Sequence, residues 1–171
     1  MKAPKIKFTN IKTFEGLEYK GYNADVYIDG MKCLKIINDG SGNDLGLRKL
    51  AEHSNTINNK IDVLQEYVKT LPPKKISTYE IPMTMEIYLE DLLIEQQIQI
   101  ENKRFENLQK TAILFGKPNT GRYMKLQFKT PLKNIPNNTL QKHIDNVIEN
   151  YCKNRNYQIL NTNLDGFNIS V

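Results

Sequence analysis

The residues best able to do chemistry in this 171-residue chain are few and far apart. Cys33 and Cys152 could serve as nucleophiles and His53 and His143 as their bases, but such pairs meet only in the folded chain, and a thiol needs an oriented base to be activated. No third group that would orient either pair stands nearby in the sequence, and the GxSxG, HExxH, CxxC and GxxxxGK[ST] patterns are absent. Two isolated cysteines in a reducing compartment read most simply as packing residues, without metal or cofactor. A small enzyme with dispersed catalytic residues is the reading that these four side chains would have to support.

A denser cluster is Asp39-Gly40-Ser41-Gly42-Asn43-Asp44. As the front of a calcium loop it has oxygen side chains at the first, third and fifth places. However, Asp44 stands where the sharp turn requires glycine, and Leu50 where a bidentate glutamate belongs. As a phosphate cradle it has glycines ahead of an expected helix, yet it lacks the lysine and carries two aspartates that repel phosphate. A turn followed by a helix cap at Asn43 or Asp44 uses the same residues for backbone reasons alone, and this is the expectation.

The segment from Ala112 to Pro136 contains Lys117, Arg122, Lys125, Lys129 and Lys133 and no acidic residue. Its pattern is that of a hairpin with a Gly-rich loop at 116–121. In a regular returning strand Tyr123, Lys125 and Lys129 share the exposed face, and Lys117 and Arg122 sit at the loop. Cations interleaved with an aromatic ring suit an anionic nucleotide or a phosphate backbone. They equally suit an acidic protein surface, and lysines also keep an exposed strand from pairing edge to edge. Lys117, Arg122, Tyr123, Lys125 and Lys129 are the candidate binding residues.

The elements that must position these residues follow from periodicity. Tyr22, Ala24, Val26 and Ile28 alternate with polar neighbours, Asp29-Gly30 is a tight-turn pair, and Met31–Ile37 returns. With Ile6 and Phe8 alternating upstream, residues 1–44 read as an antiparallel β-meander with one apolar face. Ile57, Ile61, Leu64, Val68 and Leu71 form a helical stripe that Pro72-Pro73 ends. Residues 74–82 read as an extended connector. Met83 to Lys110 reads as one long helix or two stacked ones, apolar on Ile87, Ile94 and Ile98 with Leu89, Leu93 and Ile100 beside them. Pro136 to Thr139 opens a last helix on Leu140, Ile144, Val147, Ile148 and Tyr151. Tyr157–Leu160 reads as an edge strand and the tail from Asn161 as loose. The expectation is a single α+β domain over residues 1–171: a β-meander (1–44), central helices (45–110), and a second hairpin with a C-terminal helix and short edge strand (111–171).

Composition bounds the partners. The net charge is +5, carried by 20 Lys and only 4 Arg, beside 20 Asn and 19 Ile. Lys, Asn and Ile share A/T-rich codons, so part of the positive charge follows from base composition. The shortage of Arg speaks against direct base reading, which favours its bidentate fork. No run of residues reaches the roughly 20 apolar positions of a membrane span, and the N-terminus lacks the apolar core of a signal peptide. A cytoplasmic protein without a membrane partner is expected.

The stretch Gly21-Tyr22-Asn23-Ala24-Asp25-Val26-Tyr27-Ile28-Asp29-Gly30, then Lys32 and Asn38-Asp39-Gly40-Ser41-Gly42, resembles the opening of small uncharacterised proteins of bacteriophages and mobile elements. The likeness covers the first quarter of the chain, and Asn43 departs from it where another glycine is expected. It implies a phage-like genome and the host cytoplasm, and supplies no catalytic residue. The resulting expectation is a non-enzymatic binding protein, an accessory phage product that inhibits a host defence protein by binding it or by sequestering an anionic nucleotide signal. The alternative is a nucleic-acid-binding module that uses the hairpin. A basic hairpin opposite an acidic helical region is as compatible with a homodimer as with a monomer.

Overall fold

A computed structural model describes residues 2–16, 18–42, 45–51, 53–153 and 155–169, and the fold is mixed α+β. Its contacts fall into two compact units, Met1–Gln97 and Ile98–Val171.

In the first unit, β1 (Ile6–Glu15), β2 (Lys20–Ile28), β3 (Met31–Asn38) and β4 (Gly46–Lys49) form an antiparallel sheet in that order. The β2–β3 turn is built by Asp29 and Gly30, both at positive φ (47° and 82°), as the Asp-Gly pair predicts. Alternation sends Phe8, Ala24, Val26, Ile28, Leu34 and Ile36 to one face, where they are buried. Helix α1 (Asn55–Lys69) covers that face with Ile61, Leu64 and Val68. Ser54 caps it, its side chain accepting from the Ile57 N–H at 3.4 Å. Leu89 and Leu93, from the first half of helix α2 (Met85–Gln109), complete the same core. The half-buried Tyr22 hydroxyl donates to Glu90 at 2.6 Å, and partial burial together with that carboxylate pushes its pKa up.

Two expectations for this unit need correction. The stretch after Gly42 does not open a helix: Gly46–Lys49 is the edge strand β4, with Leu47 opposite Ile36. The cap proposed at Asn43 or Asp44 lies outside the described residues. Residues 74–82 are not a plain connector but a small hairpin, β5 (Lys74–Ile76) and β6 (Tyr79–Ile81), turning through Ser77 at φ 54°. The segment from Met83 resolves into a single helix, and its apolar breadth is not all used, since Ile94, Ile98 and Ile100 are exposed.

In the second unit, β7 (Ala112–Gly116) is the buried central strand between β8 (Met124–Gln127) and β9 (Gln158–Ile159), both antiparallel to it. Helix α3 (Asn137–Val147) buries Leu140, Ile144 and Val147, and a π turn over Ile148–Cys152 continues it. Over residues 161–169 the tail is held against the second unit by hydrogen bonds and packing, contrary to expectation. Where β9 leaves the sheet, the Asn161 side chain takes its place against β7. Its Oδ1 accepts from the Leu114 N–H at 2.6 Å and its Nδ2 donates to the Ala112 carbonyl at 3.0 Å. Buried Gln109 holds the next residue, Oε1 accepting from the Thr162 N–H at 2.6 Å and from its hydroxyl at 3.1 Å. Leu164 is then buried, with Phe167 and Ile169 packed on the same core.

Candidate functional site

The loop joining β7 to β8 lies entirely within the second unit, and its shape follows from a few residues. Gly116 ends β7 so close to the returning arm that a Cβ there would stand 2.8 Å from the Arg122 carbonyl oxygen. Asn119 and Gly121 supply the positive φ values (60° and 67°) that fold the loop back. The Thr120 hydroxyl donates to the Lys117 carbonyl at 2.9 Å and accepts the Arg122 N–H at 3.4 Å, which ties the two ends together. Tyr123 then meets the ring of Phe105, on the second half of α2, edge to face at 5.4 Å and 76°.

Two open cavities flank this loop. One, of about 570 Å³, lies between the loop and α2, with Arg104, Lys117 and Arg122 as its cations, Phe105 and Tyr123 as its rings and Glu101 as its carboxylate. The other, of about 620 Å³, adds Met124 and Tyr157 to Lys117, Arg122 and Tyr123. Both volumes are in the range of small-molecule sites. Lys117, Arg122 and Tyr123 belong to both cavities.

Of the residues singled out in the sequence, the structure brings Lys117, Arg122 and Tyr123 together and leaves two apart. Lys125 is exposed on β8, and Lys129 is exposed in the bend beyond the strand's end at Gln127, so the two line neither cavity. Arg104, Phe105, Asn102 and Tyr157 were not read from the sequence. Arg104 and Phe105 sit in a segment (86–111) whose six acidic residues against three basic mark it as acidic, and the local signal was the run Lys103-Arg104-Phe105.

The groups that an enzyme would need are placed differently. Cys33 and Cys152 are buried, and burial pushes both thiols up, away from the reactive thiolate. The Cys33 thiol donates to the Met31 carbonyl at 3.3 Å, and the His143 ring packs edge-on against Phe128 at 5.1 Å. The Asp39 turn is closed on itself: the Ser41 N–H (2.9 Å) and hydroxyl (2.6 Å) both donate to Asp39 Oδ1, and these bonds hold the carboxyl below its usual range. Among the described residues no group of three or more His, Cys, Asp or Glu is placed to hold a metal ion. Among the same residues no helix is long and apolar enough to cross a membrane.

The chain matches no family model, no curated protein and no solved structure.

Proposed function

We propose that this chain is a non-enzymatic binding protein whose second unit takes an anionic nucleotide in the groove between the β7–β8 loop and α2. One observation carries the reading: Arg104, Lys117 and Arg122 converge with the Phe105–Tyr123 ring pair on a single cavity of nucleotide size. The guanidinium groups offer bidentate donors to phosphate oxygens, and the lysine adds a point charge. The rings offer an apolar wall for a base. Glu101, the carboxylate of the groove, suits a sugar hydroxyl or an exocyclic amino group. The setting that goes with this reading is an accessory phage protein in the host cytoplasm that sequesters a nucleotide signal of bacterial defence.

The test is titration of the purified chain with fluorescent ribose-labelled ATP and GTP, competed by the unlabelled nucleotides. The expected result is saturable binding that Arg122→Ala and Tyr123→Ala each weaken. Absence of saturable binding, or equal binding by both variants, contradicts the proposal.

A further inference from the structure

The sheet of the first unit has a second face, opposite the core. Strand register places its side chains in rows: Lys7, Tyr27 and Lys32, then Thr9, Asp25, Lys35 and Arg48, then Lys12, Asn23 and Ile37. Five cations thus stand on this face against a single carboxylate, Asp25, which is already satisfied. Asp25 is buried, bonded to Lys32 at 2.8 Å and to the Asn10 amide at 2.7 Å, and these contacts hold its carboxyl below the usual range. Lys7, Lys12 and Arg48 are exposed, Lys35 is half-buried, and none of the four forms an ion pair among the described residues.

Two aromatic rings share the face. Tyr27 is half-buried between Lys7 and Lys32. Phe14, 39% exposed, lies opposite Gly21, where a Cβ would come within 2.4 Å of its ring. Only glycine lets this ring lie against the sheet. Paired positions are about 5 Å apart across the strands and alternate positions about 7 Å apart along them, while register shifts between Thr9 and Lys12 and between Val26 and Tyr27 widen the spacing locally. That spacing lets successive cations meet successive phosphates of an extended strand. Base composition can raise the number of lysines everywhere, but it does not keep aspartate and glutamate off one face of one sheet.

We infer that the outer face of the β1–β4 sheet is a docking surface for single-stranded nucleic acid, gripped mainly through phosphates and without base sequence preference. Charge complementarity, the exposed Phe14 ring and the half-buried Tyr27 ring favour this occupant over an acidic protein, which would have no use for stacking plates. Lysine predominates over arginine here, which fits neutralisation of phosphates and not the reading of base edges. The surface shares no residue with the groove of the second unit, so the two readings stand or fall separately.

The test is fluorescence anisotropy of labelled oligothymidylate and oligouridylate against the full chain over a series of salt concentrations. The expected result is similar affinity for both polymers and a log–log salt slope near about −3, from about 0.7 per phosphate contact at four free cations. The combined charge reversal Lys7→Glu, Lys12→Glu and Arg48→Glu is expected to weaken binding at least about tenfold at low salt. Lys133→Glu is expected to leave it within about twofold, because that exposed residue lies outside both the surface and the groove. Thermal melting of each variant establishes folding, and the milder Lys7→Gln, Lys12→Gln pair reads the same effect if the reversal does not fold. No binding at low salt, a salt-independent affinity, an unaffected charge-reversed or neutralised variant, or displacement of the oligomer by polyglutamate at equal charge concentration would each overturn the inference.

Discussion

The outer face of the N-terminal sheet and the groove beside the β7–β8 loop are both cationic, yet they are built in opposite ways. On the sheet, strand pairing places Lys7, Lys12, Lys35 and Arg48 on one face, so their charges spread over an extended area. In the groove, a loop folded back through Asn119 and Gly121 turns Lys117 and Arg122 toward Arg104 on a helix, and the charges converge. An extended array with isolated rings suits a long, repetitive anion. A concave site with a ring pair and several cations suits a compact one. Net charge, equal in sign for both, does not separate these cases, whereas backbone geometry does.

The largest expected effect lies in the scaffold of the groove. Asn161→Ala removes the amide that substitutes for a strand along β7 and leaves the Leu114 N–H and the Ala112 carbonyl without partners. At about 1–3 kcal/mol for each unsatisfied buried group, a loss of about 2–5 kcal/mol is expected in urea unfolding. A loss below about 1 kcal/mol would mean that β7 does not need the tail. Next comes Arg122→Ala, which removes a charged donor from the groove. About 1.5–3 kcal/mol, or about ten- to a hundredfold in nucleotide affinity, is expected from competition titration, with oligonucleotide binding unchanged.

Smaller and of a different kind is the effect of pH on the sheet. The Asp25 carboxyl is held below its ordinary value by its bonds to Lys32 and Asn10, so its contribution is complete above the unfolded-state pKa of about 3.9 and is lost as pH falls through the folded value. Asp25→Asn is therefore expected to be less stable than the parent at neutral pH and to approach it in acid, as followed by melting temperature from pH 7 downward. Parallel pH profiles would assign Asp25 no such role. The smallest effect separates loop from strand: Lys125→Ala, outside both cavities, is expected to change nucleotide affinity by less than about threefold, through screened long-range charge alone.

Much of the fold was legible where periodicity and turn chemistry agree. Alternation plus Asp29-Gly30 gives the β2–β3 hairpin, and the stripes Ile61, Leu64, Val68 and Leu140, Ile144, Val147 give the core faces of α1 and α3. The rest escaped for identifiable reasons. Leu45-Gly46-Leu47 is too short for its period to distinguish helix from strand, and pairing with Ile36 and Ile37 decides it. Asn161 reads as a loop residue because nothing local reveals that its amide will complete a distant strand. Half of the groove was legible, since Lys117, Arg122 and Tyr123 are neighbours in sequence. Arg104 and Phe105 were not, because a helix with more acidic than basic residues hides the face it turns to the loop.

The most direct measurement of the central claim is native mass spectrometry, with the ratio of absorbance at 260 and 280 nm, on the chain gently purified from bacterial cells and then mixed with ATP and GTP in turn. The account predicts a mass increment of one nucleotide per chain, either retained from the cell or acquired on addition, and its loss in Arg122→Ala. A mass that stays at the bare chain throughout would contradict it.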